Sequence, residues 1–80
     1  MQPHSNTIPA ALAKLDSLPD SALSLTVKDV AVILGRSVGS VWRDSRNGNL
    51  PRPVKTGPAS TRWNVGAIRR HLAALSGESA

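Results

Sequence analysis

Ser40, Arg43 and Asn47 stand at positions i, i+3 and i+7 of one segment. On a helix such positions share a face. A guanidinium then sits between a hydroxyl and a carboxamide. A guanidinium can bond both acceptors on the edge of a guanine, and hydroxyls and carboxamides also bond base edges. Arg46 follows with a charge suited to a phosphate. Ser37 precedes the group where a helix would begin, so it can cap that helix and bring its N-terminus to a phosphate. These residue types offer recognition and no bond-making chemistry. The sequence has no nucleophile–base–acid set and no phosphate-cradling glycine loop, so an enzyme is not expected.

Charge points the same way. Residues 36–70 hold eight Arg or Lys and one acid, Asp44, a net +7 in a chain whose total is +5. A concentrated positive field is the electrostatic footprint of a nucleic-acid binder. Other classes recede. The chain has no Cys, which excludes disulfide staples and thiolate metal sites. His4 and His71 lack ligand spacing, so neither a metal nor a cofactor is expected. No apolar run approaches the roughly 20 residues of a membrane span. No basic-then-apolar start marks a secreted chain. The expectation is a cytoplasmic, nucleoid-associated protein without a membrane partner. Eighty residues allow one domain with a small core.

The elements that must position these side chains follow from caps and breakers. Residues 1–9 read as a flexible tail. Residues 10–24 read as an N-terminal arm, which is either partly ordered or a short helix over 10–18, stopped by Pro19, that packs on the core or on a neighbouring molecule. Thr26 caps the next helix, with Asp29 as the reciprocal partner of a capping box. Val27, Val30, Ala31 and Leu34 follow at helical spacing, and Gly35 stops the run. Ser37 opens a second helix two residues later, which is a helix-turn-helix spacing. That helix runs to Asn47 and ends at Gly48, with Val41 as its clear inward residue. Gly39 leaves room for close approach to another backbone.

Pro51 and Pro53 then force an extended path. Val54-Lys55-Thr56 and Thr61-Arg62-Trp63 read as paired strands around a loop at residues 57–60. Val54 and Trp63 are expected inward, Lys55 and Arg62 outward. Asn64 caps a last helix with Val65, Ile68, Leu72 and Leu75 on its apolar stripe. Residues 76–80 read as a frayed end. Trp42 and Trp63 among basic residues also suit base stacking. Their positions beside Val41 and in the inward strand phase favour the core instead.

The series Val41-Trp42-Arg43, then Gly48-Asn49-Leu50-Pro51-Arg52-Pro53-Val54-Lys55-Thr56-Gly57, then Arg62-Trp63 resembles the AlpA family of small phage regulators and the related Xis-type excisionases. The resemblance spans about residues 25–75, and its specificity lies in the order of the pieces. It implies a mainly α fold with a small β-hairpin, a winged helix-turn-helix of the MerR and excisionase kind. It also implies that the hairpin is a wing, which brings Lys55, Thr56, Ser60, Thr61 and Arg62 to the adjacent minor groove or its backbone. Arg36, Arg52 and Arg69 are expected as flanking phosphate contacts, with a solvated helix face as the alternative for Arg69. For Arg43 the expectation is a base contact; the alternatives are a phosphate contact or a pairing with Asp44 or Asp29. Family members carry Leu where Arg36 stands and a polar residue where Val38 stands. Arg36 is therefore expected outward, with Val38 filling space. The family's acidic start of the last helix is replaced here by Gly66-Ala67.

The resemblance implies a duplex-DNA-binding accessory protein of a mobile element. As an excisionase, or recombination directionality factor, it would bind and bend DNA beside an integrase attachment site, with the integrase as protein partner. An AlpA-like transcriptional role at a promoter shares the same binding mechanism. A different class is a protein-interaction module built on Leu12, Leu15 and Leu18. One small unit contacts a short site, so cooperative self-association on tandem DNA sites is expected.

Overall fold

A computed structural model of the chain describes residues 9–77. Residues 1–8 of the expected tail, with His4, and residues 78–80 of the expected C-terminal end lie outside the described residues. The chain forms α1 (Ala10–Ser17), β1 (Leu23–Leu25), α2 (Val27–Leu34), α3 (Val38–Asn47), β2 (Val54–Gly57), β3 (Ser60–Asn64) and α4 (Val65–Gly77). The three strands make one antiparallel sheet in the order β1-β3-β2. The architecture is a small α/β unit that contains a helix-turn-helix followed by a hairpin.

Local signals set most boundaries. Thr26 Oγ1 accepts the Asp29 N–H at 3.1 Å, and the Thr26 N–H donates to Asp29 Oδ2 at 3.0 Å, a complete capping box. Gly35 ends α2 with φ of 66°, a left-handed conformation that favours glycine. Ser37 accepts the Ser40 N–H at 3.1 Å and starts α3. The Ala67 N–H donates to Asn64 Oδ1 at 2.9 Å and starts α4.

The core is built from Leu25, Val30, Ala31, Val41, Leu50, Trp63, Val65 and Ile68. Trp63 is its largest member and has no exposed surface. Its ring N–H donates to the Pro51 carbonyl at 2.8 Å, which satisfies the buried donor and fixes the extended Pro-rich segment against the sheet. Trp42 packs at the core's edge, with its ring centroid 5.3 Å from that of Trp63 and the planes tilted by 50°. Pairs in that range contribute about 0.5–1.5 kcal/mol beyond burial. Both indoles therefore serve packing.

The arm is part of this body. Leu15 and Leu18 pack against the core, and Ala11 is buried. Lys14 Nζ donates to Asp29 Oδ2 at 2.8 Å and to the Ser24 carbonyl at 3.3 Å. The backbone N–H groups of Val65 and Gly66 donate to the carbonyls of Ala22 and Asp20. A boundary between residues 24 and 25 falls inside β1, whose Leu23 and Leu25 pair with Asn64 and Trp63. Gly66 is what permits this approach: a Cβ there would stand 2.7 Å from Asp20 Cβ and 3.0 Å from the Asp20 carbonyl oxygen. A longer side chain at this position is therefore excluded on steric grounds.

Four sequence expectations need correction. The hairpin is not a two-stranded unit, because β1 covers the other edge of β3. Val54 is not inward; it is 45% exposed. Its cross-strand partner is Arg62, one residue before Trp63, and directly paired residues share a face. Val38 is exposed and fills no space. Leu75 is also exposed, because the core ends before the last turn of α4. Among the described residues, no helix is long and apolar enough to cross a membrane, and no His/Cys/Asp/Glu group could hold a metal ion.

Candidate nucleic-acid interface

Helix α3 turns only Val41 and Ser45 fully inward. Arg43, Arg46 and Asn47 are exposed, and Ser40 is half-buried. The helix is held from its inner side, by Val41 in the core and by its N-cap, so its polar side chains project from a fixed frame. At its C-terminal end the Asp44 carbonyl accepts the N–H groups of Gly48, Asn49 and Leu50. That closure turns the chain into the Pro-rich segment and buries Leu50.

Ser37, Ser40 and Arg43 are linked. The Ser37 hydroxyl donates to Ser40 Oγ at 3.0 Å, and Arg43 Nη2 donates to the same oxygen at 3.4 Å. Asp44 extends the chain. Its Oδ1 lies 3.8 Å from Arg43 Nε, and its Oδ2 accepts from Arg36 Nη1 at 3.2 Å. Arg36 thus lies outward over half-buried Asp44, where the resembling family carries Leu. Arg43 pairs with Asp44 and not with Asp29, whose carboxylate is held by Lys14 and Thr26.

Arg46 and Arg52 meet at a second feature. With Trp42, Ser45 and Pro53 they line a groove of about 430 Å³ between α3 and the Pro-rich segment. Neither guanidinium has a partner among the described residues. The buried Ser45 hydroxyl also lacks a hydrogen-bond partner. Two free cations at the rim of a groove suit an anionic ligand.

The hairpin residues separate into two sets. Lys55 pairs with Thr61 across the strands, and Val54 pairs with Arg62. Side chains of adjacent strand residues point to opposite faces. Lys55 and Arg62 therefore lie on opposite faces, not on one outward face as expected. Lys55 and Thr56 are exposed, while Ser60, Thr61 and Arg62 are half-buried. Ser60 belongs to β3, so only Pro58 and Ala59 lie between the strands. Arg62 Nη1 donates to the Thr61 carbonyl at 2.9 Å.

Arg69 departs from its expected place. Its Nε donates to the Leu15 carbonyl at 2.8 Å, and its Nη2 donates to the carbonyls of Leu15 and Leu18. Its Nη1 pairs with Asp20 Oδ1 at 2.6 Å. Nε and Nη2 face the C-terminal end of α1, where helix carbonyls lack intrahelical donors and the helix dipole is negative. Arg69 is a clamp on the arm and is withdrawn from the flanking set. The acceptors lie about fifty residues away in sequence, so no local pattern announces them.

One ionisation is shifted. Burial pushes the Asp29 carboxyl up, but the Lys14 hydrogen bond, the Thr26 N–H and hydroxyl and the Lys14 charge bring it to a net position below the ordinary carboxylate value. This group joins α1 to the start of α2, away from the α3 chain.

Compared with known proteins, the chain matches no family model, no curated protein and no solved structure.

Proposed function

We propose that this chain is a sequence-specific duplex-DNA-binding protein with a winged helix-turn-helix of the MerR and excisionase kind. In this reading α3 enters the major groove and the hairpin is the wing. The observation that carries the proposal is α3 itself: a doubly capped helix, held by Val41, that presents Arg43, Arg46 and Asn47 to solvent. A helix so polar gains little from burial, and its surface suits base edges and phosphates. Arg43 is the base reader, Arg46 and Arg52 share phosphate contacts at the groove, and Lys55 and Arg62 approach the duplex from different faces of the wing.

The role that fits the resemblance is an accessory factor of a mobile element, an excisionase that bends DNA beside an integrase attachment site. Several copies bind side by side, because one unit of this size covers a short site. The protein-interaction reading loses support from the arm. Leu15 and Leu18 of its row pack on the core, which leaves Leu12 without its neighbours.

Binding to the DNA flanking the gene, measured by fluorescence anisotropy across a salt series, tests the proposal. About six neutralised phosphates give a log–log slope near −5. A flat salt response would remove it. Deleting the gene and assaying excision tests the role: unchanged excision would leave a promoter regulator as the reading.

A further inference from the structure

We propose that Asp44 is the residue that sets the ratio of specific to nonspecific binding on α3, an inference that rests on the DNA-binding reading above. It is the single acid in residues 36–70. A carboxylate in a phosphate-binding surface opposes affinity for every duplex, so its effect falls on the sequence-independent part of binding. Its neighbours give it a second action.

Asp44 is only 13% exposed, whereas Arg36 and Arg43 are 53% and 60% exposed. The carboxylate therefore lies beneath two guanidinium groups that reach past it. It holds Arg36 through Oδ2 and draws Arg43 Nε through Oδ1. Ser40 takes one N–H of Arg43 Nη2, and Ser40 is fixed in turn by the N-cap Ser37. Arg43 is thus restrained at two points, by a hydrogen bond at Nη2 and by a longer charge contact at Nε. Its Nη1 makes no bond among the described residues and its Nη2 keeps a second N–H, and one donor from each nitrogen is the pair a guanine edge requires. A guanidinium held in place loses less freedom when it binds than one that swings. Asp44 accordingly weakens contact with any phosphate lattice and favours the one base contact Arg43 is aligned to make.

Ion pairs whose guanidinium groups are this exposed add little to folding. The structural contribution of the residue runs through its backbone carbonyl, which accepts three N–H groups at the end of α3. Asp44→Asn leaves that carbonyl in place and removes the charge.

The test uses the full chain and two duplexes of equal length. One carries the site protected in footprinting, the other a scrambled sequence. Anisotropy titrations are run from low to physiological salt. For D44N the expected result is tighter binding to the scrambled duplex, a salt slope steeper by about 0.9, and a specific-to-nonspecific ratio lower by roughly tenfold. Asp44→Glu keeps the charge and returns the slope to the wild-type value, an outcome a merely structural residue does not predict. An unchanged ratio in D44N overturns the inference while the DNA-binding reading stands. Wild-type protein that binds neither duplex overturns both.

Discussion

Replacing Arg69 by Met separates a clamp from a phosphate contact. Met fills the volume of the aliphatic stem and removes the guanidinium. Four contacts are lost: two with the Leu15 carbonyl, one with the Leu18 carbonyl and one with Asp20. Hydrogen bonds from a charged donor are worth about 1.5–3 kcal/mol net. Two factors reduce the total. Arg69 keeps about a third of its side chain exposed, and Asp20 is two-thirds exposed, so that ion pair is screened. The freed carbonyls lie at the end of a short surface helix, where water reaches them. A loss of about 2 kcal/mol is the balance of these terms. For a domain of this size it lowers Tm by roughly 8–16 °C. Thermal and urea unfolding followed by tryptophan fluorescence measure it, since Trp63 passes from full burial to water. On the proposed DNA-binding reading, binding measured well below the transition keeps the wild-type salt slope, because the Arg69 guanidinium is engaged by the arm. Unchanged stability together with a slope shallower by about 0.9 would refute this reasoning and return Arg69 to the flanking set.

Three further outcomes are expected. Gly66→Ala places a methyl against Asp20 backbone and side chain, and urea unfolding should show a loss of about 1–3 kcal/mol, whereas Gly39→Ala, with nothing within 4 Å, should gain about 0.8–1.0 kcal/mol from helix propensity. Asp29 has a lowered folded-state pKa, so its contribution is present above the ordinary carboxylate value and is lost as pH falls through the folded value; stability profiles of Asp29→Asn should lack this acid-side loss. Arg43→Glu should abolish specific binding while its circular dichroism and unfolding midpoint stay near wild type, because the side chain is exposed and its pairs are weak.

How much of this was legible in the sequence depends on the distance over which each interaction acts. Thr26, Asp29, Gly35, Ser37, Gly48 and Asn64 cap or stop helices through bonds within three or four residues, and their positions were readable directly. So was the Ser40 and Arg43 spacing, because helical neighbours are set by the helix period. Val54 was misplaced because its face depends on which residue of β3 it meets. A register one residue away would have turned it inward. β1 has only three residues, and its Leu-x-Leu alternation carries little weight until β3 lies beside it. Arg69 and Gly66 were opaque for the same reason: their partners lie on the arm, at the other end of the chain. Asp44 was visible as a lone acid, yet its geometry depends on how α3 follows the turn at Gly35.

The structure also changes what the basic segment means. Of its eight cations, Arg69 serves the fold, and Asp44 offsets one charge of the Arg36 and Arg43 pair. On the proposed DNA-binding reading, six charges then remain for phosphates, the number behind a salt slope near −5. They are not equivalent. Arg46 and Arg52 converge on one groove, Lys55 and Arg62 diverge across the hairpin, and Arg70 stands on a helix whose neighbour Arg69 faces the other way. A field made of separated charges attracts a duplex from any direction but orients it poorly. On the proposed reading, orientation comes from Arg43, which like Arg36 is exposed and restrained but which alone of the two stands on α3. Its restraint passes through Ser40 to the N-cap and through Asp44 to the turn, so the precision of any base contact depends on how firmly α3 is seated. That seating rests on Val41, Leu50 and the Trp63 to Pro51 bond, and behind them on the arm that Lys14 and Arg69 hold. If α3 reads DNA as proposed, the arm is an indirect part of recognition: loosening it should blur specificity before it abolishes affinity, because the charges persist on a frame that no longer aims them.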